Sequence, residues 1–410
     1  MGRLILHLDL NNFYASVECL KDPSVRDKPV AVAGSPDKRH GVVLAKNEIA
    51  KKLGVKTGDT VLDAQRKAPG IVFKEPDFAE YDQLSKKMFD ICRSVTSQVE
   101  AFGADECWLD CTASQKLFGD GKTIADGLRE RIKTEMNLTA SVGVSFTKSF
   151  AKLGSDMKKP DATTVIDESN FKEKVWPLPV QELCGIGHQI AKNLNKMNIR
   201  TLGQLACADG RILSAHFGKV GIDLKNMAAG LDTTEIREAA LPRDVKSISH
   251  SLTTLRDLVS DKDIRALVYY LSELVAARLA KKQLRASGVA VHVRFAELDF
   301  DGKQTALPAP VRSASDIAEC AITLALFLAA GRRVRLIGVA AFHLTDEHAP
   351  AQLSFFDNAA AKKSEANEKL DAALTSLRGR FGNAAVRRAT QIDTDIFTEK
   401  DVGDFLPFKR

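Results

Sequence analysis

No stretch of the 410-residue chain stays apolar over the roughly 20 residues a helix needs to cross a bilayer, which excludes a helical membrane protein. The first residues hold no charged leader followed by an apolar core and a small-residue cleavage site, so secretion is not expected. Seven cysteines, an odd number, are scattered without a CxxC pair. Cys107 and Cys111 stand four apart with no second ligand pair, which argues against a disulfide scaffold or zinc site and for reduced thiols in a cytoplasm. A strong excess of one charge is also missing: 59 Lys and Arg face 53 Asp and Glu, a formal +6. Its distribution is uneven. Residues 243–345 carry 15 basic against 10 acidic side chains, whereas residues 166–242 carry 9 of each. A basic segment suits a polyanion, and a solvated surface accounts for it equally well. What is present is an ordinary globular composition, 44% hydrophobic and 27% charged, in a chain too long for one core.

Three acids interrupt apolar runs. Asp105 and Glu106 lie adjacent inside Phe102-Gly103-Ala104-Asp105-Glu106-Cys107-Trp108-Leu109, and Asp9 breaks Leu4-Ile5-Leu6-His7-Leu8-Asp9-Leu10. Ionised carboxylates in such runs are costly to bury unless a cation or strong hydrogen bonds compensate them. Acids carried on two strand-like segments are what a pair of divalent cations requires for phosphoryl transfer. Taken alone, Asp105-Glu106 also reads as the cap of a turn at a strand end.

Periodicity orders the rest of the chain. Leu4–Leu10 predicts a buried strand, with helical spacing from Asn11 onward. Strands are expected at Lys28–Ala33 and Gly41–Ala45, helices at Asn47–Leu53, Val61–Lys67 and Glu80–Glu100. A strand through Trp108–Cys111, a helix at Ile124–Met136 and a strand at Thr139–Ser145 complete an α/β domain whose acids converge from different strands. Short helices follow from Ile166, and Leu231–Ser247 reads as a polar linker. Beyond it the order Ser247–Thr254, Lys262–Leu284, Gly288–Phe295, Leu298–Leu307, Ser313–Ala330, Arg335–Leu344 is βαββαβ, an α+β unit. A last helix is expected at Glu365–Phe381.

Leu183-Cys184-Gly185-Ile186-Gly187-His188-Gln189-Ile190-Ala191 has the pattern of a helix-hairpin-helix. Its two glycines make a tight turn, and the N–H groups of the next helix are then placed to hold a DNA phosphate. A packing turn between two helices is the plain alternative.

These pieces occur in an order that resembles the Y-family translesion DNA polymerases of the bacterial polymerase IV type. The resemblance rests on Asp9 with Phe13-Tyr14, Asp105-Glu106, Ser141-Val142-Gly143-Val144, Phe150-Ala151-Lys152, Asp156-Met157-Lys158-Lys159-Pro160 and Gly185-Ile186-Gly187. It implies a right hand: palm from residues 1–10 and 78–165, fingers 11–77, thumb 166–242, little finger 243–345 and a tail over 346–410. It further implies that Asp9, Asp105 and Glu106, with the Leu10 carbonyl, hold two Mg²⁺ ions (Mn²⁺ being a possible substitute). Template-directed transfer of a nucleotide from a dNTP to a primer 3′-hydroxyl needs no protein nucleophile, and none is evident. Tyr14, beside Phe13, falls at the steric gate against ribonucleotides, and Lys159 matches a triphosphate contact.

One departure stands out. The fingers helix of the family offers a Tyr and an Arg three apart; here Glu48 and Lys51 take those places, with Lys46 and Lys52 near, so weaker nucleotide affinity is expected. Val42 and Leu44 would roof the templating base, and the bulk of Leu44 disfavours large template adducts. Lys246, Arg294, Arg332, Arg333 and Arg335 are candidate duplex contacts, and Gly185 and Gly187 frame the thumb contact. Gln352-Leu353-Ser354-Phe355-Phe356 resembles the peptide that docks on the bacterial sliding clamp, with Leu353 and Phe356 entering an apolar groove. The implied partners are primer-template DNA, dNTPs and that clamp, for a monomeric protein free of membrane. With no acidic exonuclease motif, low fidelity is expected. Two rivals remain: an adaptor that binds DNA without catalysis, and a two-metal nuclease carrying a helix-hairpin-helix.

Overall fold

The computed structural model describes residues 2–34, 41–237, 245–349 and 358–381, together with 386, 388, 389 and 396. These residues form two compact units, the first ending at residue 237 and the second beginning at residue 245.

The first unit runs β1 (Ile5–Leu10), α1 (Phe13–Lys21), β2 (Val30–Ala33), β3 (Val43–Lys46), α2 (Glu48–Lys52), α3 (Val61–Lys67), β4 (Val72–Lys74) and α4 (Phe78–Arg93). It continues through β5 (Val99–Ala101), β6 (Glu106–Asp110), α5 (Gln115–Phe118), α6 (Gly121–Met136), β7 (Ala140–Ser145), α7 (Lys148–Met157) and β8 (Thr163–Val165). A helical segment then holds α8 (Phe171–Val175), α9 (His188–Lys196), α10 (Leu202–Cys207), α11 (Gly210–Phe217) and α12 (Lys219–Ala228). The central sheet has the order β5-β6-β1-β7-β8, and a three-stranded sheet the order β3-β2-β4.

Strand β1 is buried along its whole length because both of its faces are covered. Alternation sends Leu6, Leu8 and Leu10 into a core shared with Met88 and Ile91 of α4 and Leu128 and Ile132 of α6. Each such leucine contributes about 1.5–3 kcal/mol. The opposite face carries Ile5, His7 and Asp9, and there Ile5 packs with Trp108 of β6 and Ala151 of α7. The approach of α7 depends on Gly143 in β7. A Cβ at that position would strike the Ala151 carbonyl oxygen and come within 2.5 Å of the Ser155 amide nitrogen, both backbone atoms of α7. Gly154 meets it from the helix side, its own Cβ position 3.1 Å from the Gly143 Cα.

Two expectations are corrected. The helix expected over Glu80–Glu100 ends at Arg93, and Val99–Ala101 forms an edge strand in register with Cys107–Leu109. The polar stretch after Leu231 is not a free linker at its start. The Arg3 guanidinium bonds the carbonyls of Asp232 (3.2 Å) and Thr234, Ile236 is buried, and the Arg237 amide donates to Glu100 at 2.9 Å. Polar composition concealed an attachment made by backbone carbonyls.

The second unit is β9 (Ser247–Leu258), α13 (Asp261–Lys281), β10 (Leu284–Phe295), β11 (Phe300–Val311), α14 (Ala314–Ala329), β12 (Val334–Asp346) and α15 (Asn358–Phe381), with sheet order β11-β10-β12-β9. Val289, Val291 and Val293 of β10 face a core with Leu267, Leu271 and Val275 of α13 and Ala321 and Ala325 of α14. α15 is fastened by charge: Glu368 takes Arg285 through both its oxygens (2.6 and 3.0 Å) and also Arg312 (2.8 Å), while Asp371 accepts from the Ala314 amide at 2.7 Å. Ile396 is buried in the same core. The tail described after residue 357 is therefore part of this unit.

Candidate active site

Register places the acids. In the antiparallel pair of β1 with β6, Asp9 stands opposite Glu106, and the Leu10 amide donates to the Asp105 carbonyl at 2.8 Å. On the other side Asp9 faces Ser141 of β7. Asp9 is buried and Asp105 and Glu106 half-buried. The ligand atoms of His7, Asp9 and Glu106 lie within 4.8 Å of one another, and Asp105 stands outside that cluster.

Two ammonium groups compensate the acids. Lys152 Nζ of α7 lies 2.6 Å from Glu106 Oε2, 3.1 Å from Asp9 Oδ2 and 3.3 Å from Asp156. Lys159 Nζ lies 2.9 Å from Asp9 Oδ2 and 2.8 Å from Asp156 Oδ1. Burial works against both ammoniums, but the surrounding carboxylates outweigh it and raise both pKa values. Burial likewise pushes Glu106 up, and contacts with His7 and Lys152 overcome it, leaving the carboxyl at about 2. For Asp105 the balance is reversed: burial, then the charges of Asp9 and Glu106, outweigh a backbone hydrogen bond and the Lys152 charge and raise it to about 6. Burial holds His7 below its ordinary value, against the opposing pull of Glu106. Asp9, Asp105 and Glu106 offer hard carboxylate oxygens, of which those of Asp9 and Glu106 already draw ammonium groups, and such a donor set fits a divalent ion of the Mg²⁺ class.

The remaining expected residues are distributed as follows. Phe13 is a core side chain. Tyr14 is half-buried, stacked on Tyr81 at 4.2 Å and 13° and set edge-on to Phe78 at 6.1 Å. Tyr81 is itself fixed by its hydroxyl, which donates to Glu18 at 2.7 Å. Burial and then the Asp105 charge raise the Tyr14 phenol to about 12. Lys51 is exposed on α2 and pairs with Glu48 Oε1 at 3.4 Å, an oxygen that also accepts from Asn12 at 3.0 Å. Val42 and Leu44 share the face of the β3 segment opposite buried Val43. Gly185 adopts φ 93°, a turn that favours glycine, and Gly187 caps α9 with its surroundings open where a Cβ would be.

In the second unit Lys246 is exposed, and Arg294 lies on the sheet face away from the helices, over the Phe300 ring at 4.9 Å. Arg332 pairs with Asp299 at 2.8 Å and Arg333 with Asp257 at 2.7 Å; Arg335 is half-buried in β12. Gln352, Leu353, Phe355 and Phe356 lie outside the described residues.

Sequence reasoning missed His7, Lys152, Ser155 and Asp156 as parts of the site. The signals were there: His7 is two residues before Asp9, hence on the same strand face, and Lys152, Ser155 and Asp156 follow the i, i+3, i+4 spacing of one helix face.

The fold is shared with solved Y-family DNA polymerases. A "Y-family DNA polymerase chimera Dbh-Dpo4(243-245)-Dbh" superposes with TM-score 0.75 at 23% identity, covering 84% of this chain and 99% of that one. The "Insertion ternary complex of Dbh DNA polymerase" gives 0.57 over the same 84% of this chain and 99% of that one, also at 23% identity. The impB/mucB/samB family model matches residues 8–156, and the model of its C-terminal domain residues 245–355. A protein named DNA polymerase IV from Acetivibrio thermocellus is 46% identical, over 95% of this chain and 97% of its own. Another from Moorella thermoacetica is 37% identical, over 95% and 96%. The chain belongs to the impB/mucB/samB family, with the Y-family translesion DNA polymerases of the DNA polymerase IV type.

Proposed function

We propose that this chain is a low-fidelity, template-directed DNA polymerase of translesion synthesis, joining dNTPs to a primer 3′-hydroxyl. The observation that carries the reading is the pairing of Asp9 with Glu106 across adjacent strands beside Asp105, compensated by the ammonium groups of Lys152 and Lys159. Asp9, Asp105 and Glu106, with the Leu10 carbonyl, would hold two Mg²⁺ ions, or Mn²⁺ in their place. When bound, the ions supply charge neutralisation at the reacting phosphate and make the 3′-hydroxyl a better nucleophile. Lys159, now held by Asp9 and Asp156, would exchange a carboxylate for a triphosphate oxygen. Tyr14 presents a ring that the Tyr81 stack keeps from swinging aside, so a ribose 2′-hydroxyl meets a fixed wall.

Palm, fingers, thumb and little finger would occupy residues 1–10 with 78–165, 11–77, 166–242 and 243–345. Val42 and Leu44 would lie over the templating base. The Glu48–Lys51 pair weakens the fingers' share of triphosphate binding, since Lys51 must leave a carboxylate to serve it. Gly185 and Gly187 open the start of α9 to a DNA phosphate. The Arg332–Asp299 pair lies at the surface, where solvent screening leaves it weak, so Arg332 can turn to DNA at little cost, whereas Arg333 would have to leave the buried Asp257 carboxylate; Lys246, Arg294 and Arg335 would join them. Gln352–Phe356 would tether the enzyme to the sliding clamp, giving processivity without tight DNA binding. The enzyme is proposed to act as a cytoplasmic monomer; no helix among the described residues is long and apolar enough to cross a membrane.

Primer extension on undamaged template with Mg²⁺ and four dNTPs tests the reading. Extension by wild type, and none by Asp105→Ala/Glu106→Ala, is the expected result. Salt-sensitive DNA binding by a folded but inactive wild type would favour the adaptor instead.

A further inference from the structure

We propose that His7 is a positioning residue, a buried donor whose Nε2–H holds the Glu106 carboxylate in place for the divalent cation; this rests on the polymerase reading. His7 is fully buried between the central sheet and α7, edge-on to Trp108 at 5.2 Å. Its neighbour across β7 is Gly143, the residue that lets α7 come down onto the sheet, and this brings Ser155 Oγ to 2.9 Å from Nδ1. Nε2 reaches towards Glu106 Oε2 at 3.4 Å and has no hydrogen-bond partner among the described residues. A buried polar atom left in that state requires an explanation.

Proton bookkeeping supplies one. Ser155 has a single proton, and two acceptors lie in reach: Nδ1 and the Lys152 carbonyl at 2.8 Å. Giving it to the carbonyl leaves the ring proton on Nδ1 and sets a bare Nε2 lone pair against a carboxylate. Giving it to Nδ1 puts the ring proton on Nε2, directed at Glu106. The Lys152 carbonyl does not depend on Ser155, because it lies inside α7 and takes part in the helical ladder. The second arrangement leaves no buried lone pair facing a negative oxygen. The 3.4 Å separation is a few tenths of an ångström beyond an ordinary N–H···O bond, a distance a small turn of the carboxyl closes. Lys152 takes the same Oε2 at 2.6 Å, so Glu106 is held from two sides, once by the ammonium of α7 and once by a ring fixed in the sheet.

The test measures Mn²⁺ binding to the full chain by the loss of the free-ion EPR signal, alongside single-nucleotide kinetics and thermal melting. His7→Leu, which fills the space without a donor, should raise the Mn²⁺ dissociation constant about 10–100-fold and lower kcat comparably, with the dNTP KM little changed. His7→Gln, whose side-chain N–H can take the place of Nε2–H, should recover most of both losses. Ser155→Ala should cost less than His7→Leu and serves as the second variant if His7→Leu does not fold. Wild-type Mn²⁺ affinity in folded His7→Leu overturns the inference, as does equal impairment by Leu and Gln, which would mark a packing role. A ¹⁴N coupling in the pulsed EPR of bound Mn²⁺ also overturns it, by making His7 a direct ligand. A wild type that binds no Mn²⁺ and extends no primer removes the polymerase reading itself, whereas an active wild type with an unaffected His7→Leu removes only the role of His7.

Discussion

Gly143→Ala is the substitution on which the geometry of the site bears hardest. The new methyl would collide with the Ala151 carbonyl and stand 2.5 Å from the Ser155 nitrogen, where ordinary contact begins at 3.4 Å. Both obstacles are backbone atoms of α7, so no rotamer change relieves them, and the helix must lift by about 1–1.5 Å. Overpacking of this kind costs about 1–3 kcal/mol, and the rigid obstacle puts this case at the upper end. At about 2–4 °C per kcal/mol for a unit of this size, the melting transition of the first unit should fall by at least about 6 °C. The lift also carries Lys152 and Ser155 away from Glu106 and His7, and misplacement by about 1 Å at a catalytic centre costs on the order of 100-fold in rate. Gly154→Ala is the matched control. There the methyl would lie 3.1 Å from the Gly143 Cα and 3.3 Å from the Thr164 carbonyl, and removing a helical glycine returns about 0.5–1 kcal/mol. Calorimetry with single-turnover extension reads both variants. A Gly143→Ala protein that melts within a degree of wild type and extends normally would refute the argument that this contact seats α7.

Further outcomes follow from the same contacts. Tyr14→Ala should reduce discrimination against ribonucleotides by about 5–150-fold, the rate equivalent of a 1–3 kcal/mol clash, measured as the ratio of kcat/KM for dNTP and rNTP. Lys152→Met should lower the melting temperature without divalent ions and enlarge the rise caused by Mg²⁺, because Asp9 and Glu106 lose their shared ammonium; an unchanged Mg²⁺ response would count against cation capture by these acids. Lys51→Ala should raise the dNTP KM by a few-fold at most, as an exposed lysine already paired with Glu48 contributes little; an unchanged KM removes Lys51 from the site. Glu368→Ala should destabilise the second unit by about 1–3 kcal/mol, since Arg285 and Arg312 share that half-buried carboxylate. Near-wild-type unfolding in urea would show that α15 is held by other contacts.

Much of the site and the fold is legible in the chain itself. An acid inside an apolar run declares itself because the run predicts burial and burial of charge demands compensation. That logic finds Asp9, Asp105 and Glu106. A strand of period two divides Leu6, Leu8 and Leu10 from His7 and Asp9 without reference to anything outside it. The helix Val61–Lys67 and the βαββαβ order follow from local spacing, since such patterns are set by residues a few positions apart.

The compensation itself is not legible there. Lys152 lies 143 residues from Asp9 along the chain, and only the seating of α7 on Gly143 brings the two together. The face of β1 that carries His7 and Asp9 can be named from sequence; the helix that covers it cannot, because periodicity specifies a face and says nothing of its distant partner. The same holds for Arg3, which fastens a polar stretch 229 residues later through its carbonyls, and for α15, attached by carboxylates whose arginines belong to other elements. Sequence determined which side chains had to be compensated, and tertiary packing decided which distant groups do it.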